Sequence, residues 1–270
     1  VSFDAIPATF EQLPYIFCAS LKSVTTGAAD GGGTDKIYAY PAHMLAALNT
    51  IKTYTIEGGD DQQAEEMEYS FVESWKLAGK AGEALMVSAD WRGRQVALST
   101  YTGALTPPTV EDMLVSQGKL YIDAIGGTMG STLKSGTLLG VDVACKSGWM
   151  AVNTMDGQLY FTFIKATPPE IVATLTFEHD ATSVAEKAAW RAQTARQIQL
   201  KIEGNTVGTP GTTYSKKTLL LNMVGKWESF SKLDEQDGND IVSGVFRCRY
   251  NATPNKFFEA IVVNELASLP

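Results

Sequence analysis

The sequence is short of the residues that usually do chemistry. Its 270 residues include two histidines and three cysteines. His43 stands in PAHML and His179 in FEHDA, with no acid or thiol at ligand spacing, and neither HxxxH nor CxxC occurs. The common zinc patterns are therefore excluded, and both histidines read as structural. Cys18, Cys145 and Cys248 lie far apart in strand-like surroundings (IFCAS, VACKS, FRCRY). They read as small buried hydrophobes that need no oxidising compartment. The arginines beside Cys248 alternate with it, so a strand would turn them to the other face. There is no GxSxG elbow and no His/Asp set for a serine nucleophile. No catalytic, cofactor-binding or metal-binding residue is nominated.

Other absences narrow the class. Basic residues number 22 against 30 acidic, a net charge of −8, and no basic stripe is visible. Phosphate tracking requires one, so sequence-specific nucleic-acid binding is not expected. No apolar run approaches the ~20 residues of a membrane helix. No charged-then-apolar signal segment opens the chain at Val1, and no membrane partner is expected.

What is present is β-forming. Runs rich in Val, Ile, Thr, Tyr and Phe predict strands at 15–24, 36–40, 51–57, 68–77, 83–90, 119–125, 138–144, 149–153, 158–165, 171–178, 197–202, 218–224, 241–250 and 257–264. Turn signals such as Asp156-Gly157 and Asp237-Gly238-Asn239 separate them. One helix stands out at 184–196. Ser183 and Glu186 have capping-box spacing, and Val184, Ala188, Ala192 and Ala195 share a face suited to a sheet. Shorter helices are predicted at 61–67 and 42–48.

Two loops carry organisation. Residues 25–35 (TTGAADGGGTD) have nothing apolar to bury and predict a mobile, exposed loop. Its GGGTDK ending is not a P-loop, because a strand follows where a phosphate cradle needs a helix. Residues 127–136 are rich in Gly, Ser and Thr and predict a linker between domains at 1–126 and 137–270.

The halves are alike in order. KIYAY, a Pro connection and TYTIEGGD in the first correspond to QLYFTF, Pro168-Pro169 and ATLTFEHD in the second. An acidic helix-prone stretch follows each, then a strand ending in glycine and a strand ending in Gly, Trp and basic residues. A duplication is expected. Two like domains on one chain can occupy alternate positions of a ring.

The remaining polar clusters read as ordinary surface. The turn 234–240 (DEQDGND) misses the calcium-loop spacing. The carboxylates Asp60, Asp61, Glu65 and Glu66 read as a charged helix start rather than an acid–base pair. Asn251-Ala-Thr253 matches a glycosylation triplet of a kind common by chance.

The segment TIKTYTIEGGDDQQAEEMEYSFVESWKLAGKAGEALMVSADWRGRQV, residues 50–96, resembles the tail tube (major tail) proteins of long-tailed bacteriophages. YSKKTLLLNMVGKWESFSKLDEQDGNDIVSGVFRCRYN, FFEAIVVNELASLP and the early FEQLPYIF extend the likeness over most of the chain. The chain is longer than the family's single-domain members, as a duplication would make it. The resemblance implies a mainly β (α+β) chain of two tandem β-sandwich or barrel domains, each with a flanking helix, whose sheets are completed between subunits. It implies no enzyme and no cofactor. The implied role is a virion protein, in the host cytoplasm before assembly. Three chains would form a ring of pseudo-six-fold symmetry, and stacked rings would form the hollow tube of a non-contractile tail.

The implied partners are copies of itself, the tape-measure protein in the lumen, the tail-tip or baseplate and tail-terminator proteins, and DNA in transit without sequence-specific binding. The N-terminal arm, residues 1–10, and the loop 25–35 are expected to reach an adjacent ring and to order on assembly. The acidic balance suits a lumen that does not hold phosphates. The rival expectation is a two-domain β-sandwich module binding carbohydrate or a cell surface. That function would display Trp75, Trp91, Trp149, Trp190 or Trp227 as an aromatic platform.

Overall fold

The computed structural model describes residues 2–44, 46–60, 62–236 and 238–270. Strand β1 (Ser2–Pro7) leads into helix α1 (Leu13–Ser20), then β2 (Ala28–Ala29), β3 (Lys36–Pro41), β4 (Tyr54–Gly59) and β5 (Ala64–Lys80). The chain continues through β6 (Met86–Arg92), β7 (Val96–Ser99), a 3-10 turn (Val115–Gln117), β8 (Gly118–Ala124), β9 (Leu133–Lys134) and β10 (Leu138–Lys146). β11 (Trp149–Val152), β12 (Phe163–Ala166) and β13 (Glu170–Glu178) precede helix α2 (Ala181–Arg191). β14 (Arg196–Thr206), β15 (Lys216–Phe230), β16 (Asp234–Gln236), β17 (Asn239–Cys248) and β18 (Phe258–Asn264) complete it. The protein is mainly β, 52% strand and 8% helix.

Strand pairing is antiparallel, and the main sheet runs β1-β6-β5-β10-β13-β17-β15-β14-β8-β9. Two long strands let it fold over. The first part of β15 pairs with β14 on one side and β18 on the other, and β18 carries β3. The last part of β15, from Gly225, pairs with β17. A Cβ at Gly225 would collide with the carbonyl of Arg247, so glycine permits this close crossing. β5 is divided in the same way. Its first residues pair with β4 and β7, and the stretch from Phe71 pairs with β6 and β10. Tyr69, between the two parts, has φ +52°, a left-handed conformation unusual for a tyrosine.

The alternation of the sequence sets what is buried. In β13, Ile171, Ala173, Leu175 and Phe177 are fully buried and their neighbours are not. Phe246 and Cys248 of β17 face the same interior, where Trp227 packs on Phe177, Phe246 and Phe230 at centroid distances of 5.0–5.8 Å. A single buried cluster continues into the first half through Trp75, Leu77, Val87 and Tyr40. The two halves of the sequence therefore meet in one core, joined by the β5–β10 ladder. Residues 127–136 do not separate two cores. They form the end of the β8–β9 hairpin, where the buried Asp123 accepts the N–H groups of Gly130, Ser131 and Thr132 at 2.8–3.2 Å.

Four sequence expectations are corrected. Residues 15–24 do not form a strand, because α1 occupies 13–20. Seven of its eight residues are buried, so it carries no amphipathic stripe, and Phe17 seals the core against Tyr40 and Trp75. The predicted 61–67 helix is the β4–β5 hairpin from Ala64 on, with Asp61 outside the described residues. Pairing on both sides overrides the helix propensity of Glu65 and Glu66. No helix occurs at 42–48 among the described residues, which exclude Leu45, and Met44 and Ala47 bridge instead. The 184–196 helix spans 181–191 and is capped by Asp180. Its carboxylate accepts the Ser183 N–H at 2.8 Å, while Ser183 Oγ accepts the Asp180 N–H at 3.0 Å. The inward stripe is Ser183, Glu186 and Ala189, and the expected Val184/Ala188 face meets solvent.

Each half thus contributes one helix, at different places in its element order. The matched strands at 69–79 and 83–94, and those at 196–205 and 218–229, each form an antiparallel hairpin.

Two segments expected to be free are fastened. Ser2–Pro7 pair with β6, and Ala8 and Phe10 enter the core. In 25–35, Ala28 and Ala29 pair with β3. Asp30 accepts the N–H groups of Thr213 and Tyr214, and Thr34 donates its hydroxyl to Glu265 at 2.7 Å.

Candidate functional site

The side chains weighed for chemistry are dispersed. His43 is buried, with Nε2 3.0 Å from the Thr167 carbonyl and its ring 4.9 Å from that of Trp149. His179 is exposed, and its backbone N–H donates to Asp240. All three cysteines are free and buried, and burial pushes each thiol up. Arg247 turns away from Cys248, as alternation predicts, and pairs with Glu170 and Glu228. Asp234–Gln236 forms a short hairpin strand on β17, and Asp237 lies outside the described residues. Asn251 closes its own turn by accepting the Thr253 N–H at 3.0 Å. Among the described residues no group of three or more His, Cys, Asp or Glu could hold a metal.

What the structure does gather is an exposed strand edge and exposed apolar surface. β1 is the end strand of the main sheet, and all six of its residues are exposed. Beside it lies an apolar groove of about 340 Å³, lined by Phe3, Ile6, Tyr15, Tyr54, Val87 and Trp91. The register shift in β1 between Phe3 and Ile6 is what lets both side chains line this groove.

A wing continues from there. It consists of β4, the first part of β5, β7, and the β11–β12 hairpin. Its own buried cluster is small: Phe71, Trp149 and Phe161. Arg94 clamps it, with the guanidinium 4.0 Å from the Tyr69 ring centroid and Nη2 donating to the Thr162 carbonyl at 2.7 Å. Beyond the clamp, apolar side chains project into solvent. Val96, Leu98, Tyr101, Leu105 and Val110 are exposed along 96–110, and Met155 and Leu159 are fully exposed on the β11–β12 loop. Glu57 holds the start of this ribbon by accepting from the Thr102 hydroxyl and N–H, and those bonds keep its carboxyl below the usual range.

The outer face of the main sheet is different in kind. Asp90 accepts from Ser74 and Ser2, Lys76 meets Asp142 at 2.7 Å, and Lys146 meets Glu170 at 3.0 Å. Arg247 joins Glu170 to Glu228. Hydrogen bonds from Arg247, then Lys146, hold Glu170 below its ordinary range. Lys76, Lys146 and Arg247 are each paired with an anion, so they do not form a row of free cations for a polyanion.

Three of the five tryptophans, Trp75, Trp149 and Trp227, are buried, and Trp91 and Trp190 are half-buried. Trp190 donates Nε1 to the Glu228 carbonyl at 2.8 Å. They do not form a shared exposed platform. No described helix is long and apolar enough to cross a membrane. Sequence reasoning placed strands at 51–57, 149–153 and 158–165, but it read 61–67 as a helix and had no strand at β7, so it did not join them into a wing. No protein-family model and no curated protein matches the chain.

Proposed function

We propose that this chain is a structural subunit that assembles with copies of itself, and that the assembly is the hollow tail tube of a long-tailed bacteriophage. One observation carries the self-assembly: an end strand with every residue exposed lies beside a wing that leaves seven large apolar side chains in water. Exposed strand edges and apolar ribbons on this scale are usually blunted unless a partner covers them. The identity of the assembly rests on the sequence resemblance over residues 50–96 and toward the chain's end. In this reading rings stack into a tube on a virion, with the tape-measure protein and then DNA inside, and terminator and tail-tip proteins at the ends. The paired charges of the sheet's outer face suit a wall along which DNA slides without sticking.

The test is a double substitution, Leu98→Asp with Leu105→Asp. Both side chains are exposed, so the fold is expected to survive with unchanged circular dichroism. Concentration-dependent sedimentation should be lost. Assembly that persists in the folded variant overturns the assignment of this surface.

A further inference from the structure

The glycine-rich loop holds an unusual pair of acids. Asp35 is fully buried, and neither of its carboxyl oxygens has a hydrogen-bond partner among the described residues. Asp30 is also buried, and the two carboxyls flank one backbone contact: the Cβ position of Gly33 touches both Asp35 Oδ1 and Gly211, and the Cβ position of Gly211 touches Asp30 Oδ2. Asp30 is well served. Its two oxygens accept the Thr213 N–H at 2.9 and 2.8 Å, and one also accepts the Tyr214 N–H at 2.6 Å. Its backbone carbonyl accepts from Gly33 at 3.1 Å and Thr212 at 3.3 Å. The packing is tight: a Cβ on Gly33 would strike Asp35, and one on Gly211 would strike Asp30.

An ionised Asp35 here would be a buried charge with no donor, facing a second charge, which costs far more than one proton. We propose that Asp35 is a neutral acid whose O–H donates to the Asp30 carboxylate, and that this bridge is a pH-operated latch fastening the 27–35 loop to the 208–214 turn.

The surroundings agree. Of the charged or titratable groups nearby, Lys36 follows on β3, Tyr214 sits on the turn, and Glu265 follows β18. Glu265 is occupied by Gly208 and Thr34, with Lys217 of β15 acting on it. None of them donates to Asp35. Burial pushes the Asp35 carboxyl up; its own backbone N–H and the positive Lys36 act the other way, but burial together with the negative Asp30 outweighs them. Burial alone would raise Asp30 as well, but the Tyr214 and Thr213 N–H groups outweigh it and hold that carboxyl down.

The signs give a window. Asp35, raised in the folded state, contributes stability that is complete below its unfolded value and is lost as pH rises through its folded one. Asp30, depressed, contributes stability that is lost as pH falls through its folded value. The latch is tightest between the two. Opening it frees β2, the two-residue strand that covers the edge of β3. The device thus controls access to a sheet edge. It does not depend on the proposed function.

The test is amide hydrogen exchange on the full chain from the ordinary aspartate range, about pH 4, up to about pH 8, corrected for intrinsic rates. Protection of the Thr213 and Tyr214 amides should fall at least tenfold as pH rises, while Leu175 in β13 stays unchanged. Asp35→Asn supplies a non-titrating N–H donor and should make that protection independent of pH. Flat protection in the native chain, or the same pH dependence in Asp35→Asn, overturns the proposal. If the variant does not fold, the Asp35 carboxyl carbon shift in the native chain decides, since a titration no higher than that of an ordinary aspartate overturns it. Calcium at 1 mM that restores protection at pH 8 would identify a cation rather than a proton as the occupant, and would also overturn it.

Discussion

The body of the protein and its wing are built from the same kind of strand but solve different problems. In the body, Trp227 is enclosed by Phe177, Phe230 and Phe246, and its Nε1 donates to the buried Glu186 at 2.9 Å, which also pairs with Arg196. α1 packs on β5, β3 and β18 and joins the same buried cluster. In the wing the buried cluster is Phe71, Trp149 and Phe161, while Val96, Leu98, Tyr101, Leu105, Val110, Met155 and Leu159 stand in water. Each such side chain forgoes about 1.5–3 kcal/mol of burial. The difference separates a region whose apolar side chains are enclosed from one that leaves them in water.

The sharpest test of this contrast is in the body. Trp227→Ala should cost about 3–5 kcal/mol in urea unfolding, because it leaves a large cavity and an orphaned Glu186. A loss below about 1 kcal/mol would mean that the body is not the closed unit described. Next, Glu186→Ala breaks a buried pair and should cost about 3 kcal/mol by the same measurement. Trp149→Ala separates the regions. Amides of β11 and β12 should exchange at least tenfold faster while those of β13 and β17 hold, as for an independent unit. Equal acceleration everywhere would merge wing and body into one cooperative structure.

A smaller effect belongs to the β8–β9 hairpin. Burial would raise Asp123, but donors from Thr132, Ser131 and Gly130 overcome it and hold its carboxyl down. Its contribution is complete above about pH 4 and is lost as pH falls through the folded value. Exchange at Gly130–Thr132 should therefore quicken in acid, and Asp123→Ala should cost about 2 kcal/mol. The smallest effect is expected on the paired outer face. Lys76 and Asp142 are both well exposed, so Lys76→Ala should change stability by no more than about 0.5 kcal/mol.

Much of the body was legible in the sequence because alternation and burial coincide there, as in β13, β14 and β17. α2 was legible through its composition, although its cap lay three residues earlier than expected. α1 was not, since a helix buried on nearly every side loses the periodicity that distinguishes it from a strand. The wing failed for the opposite reason. Glu65 and Glu66 favour a helix locally, and only pairing with β4 and β7, which is distant information, makes them a strand. The 25–35 segment looked mobile and 127–136 looked like a linker because glycine and small polar residues are frequent in both. Single aspartates, Asp30 and Asp123, gather backbone N–H groups and fix both, and composition gives little sign of that.

The central claim is that the exposed edge and wing are finished by copies of the same chain. Negative-stain microscopy of the purified protein, over a range of concentrations, tests it most directly. The account predicts rings or hollow tubes that increase with concentration. Isolated single-chain particles at every concentration would contradict it.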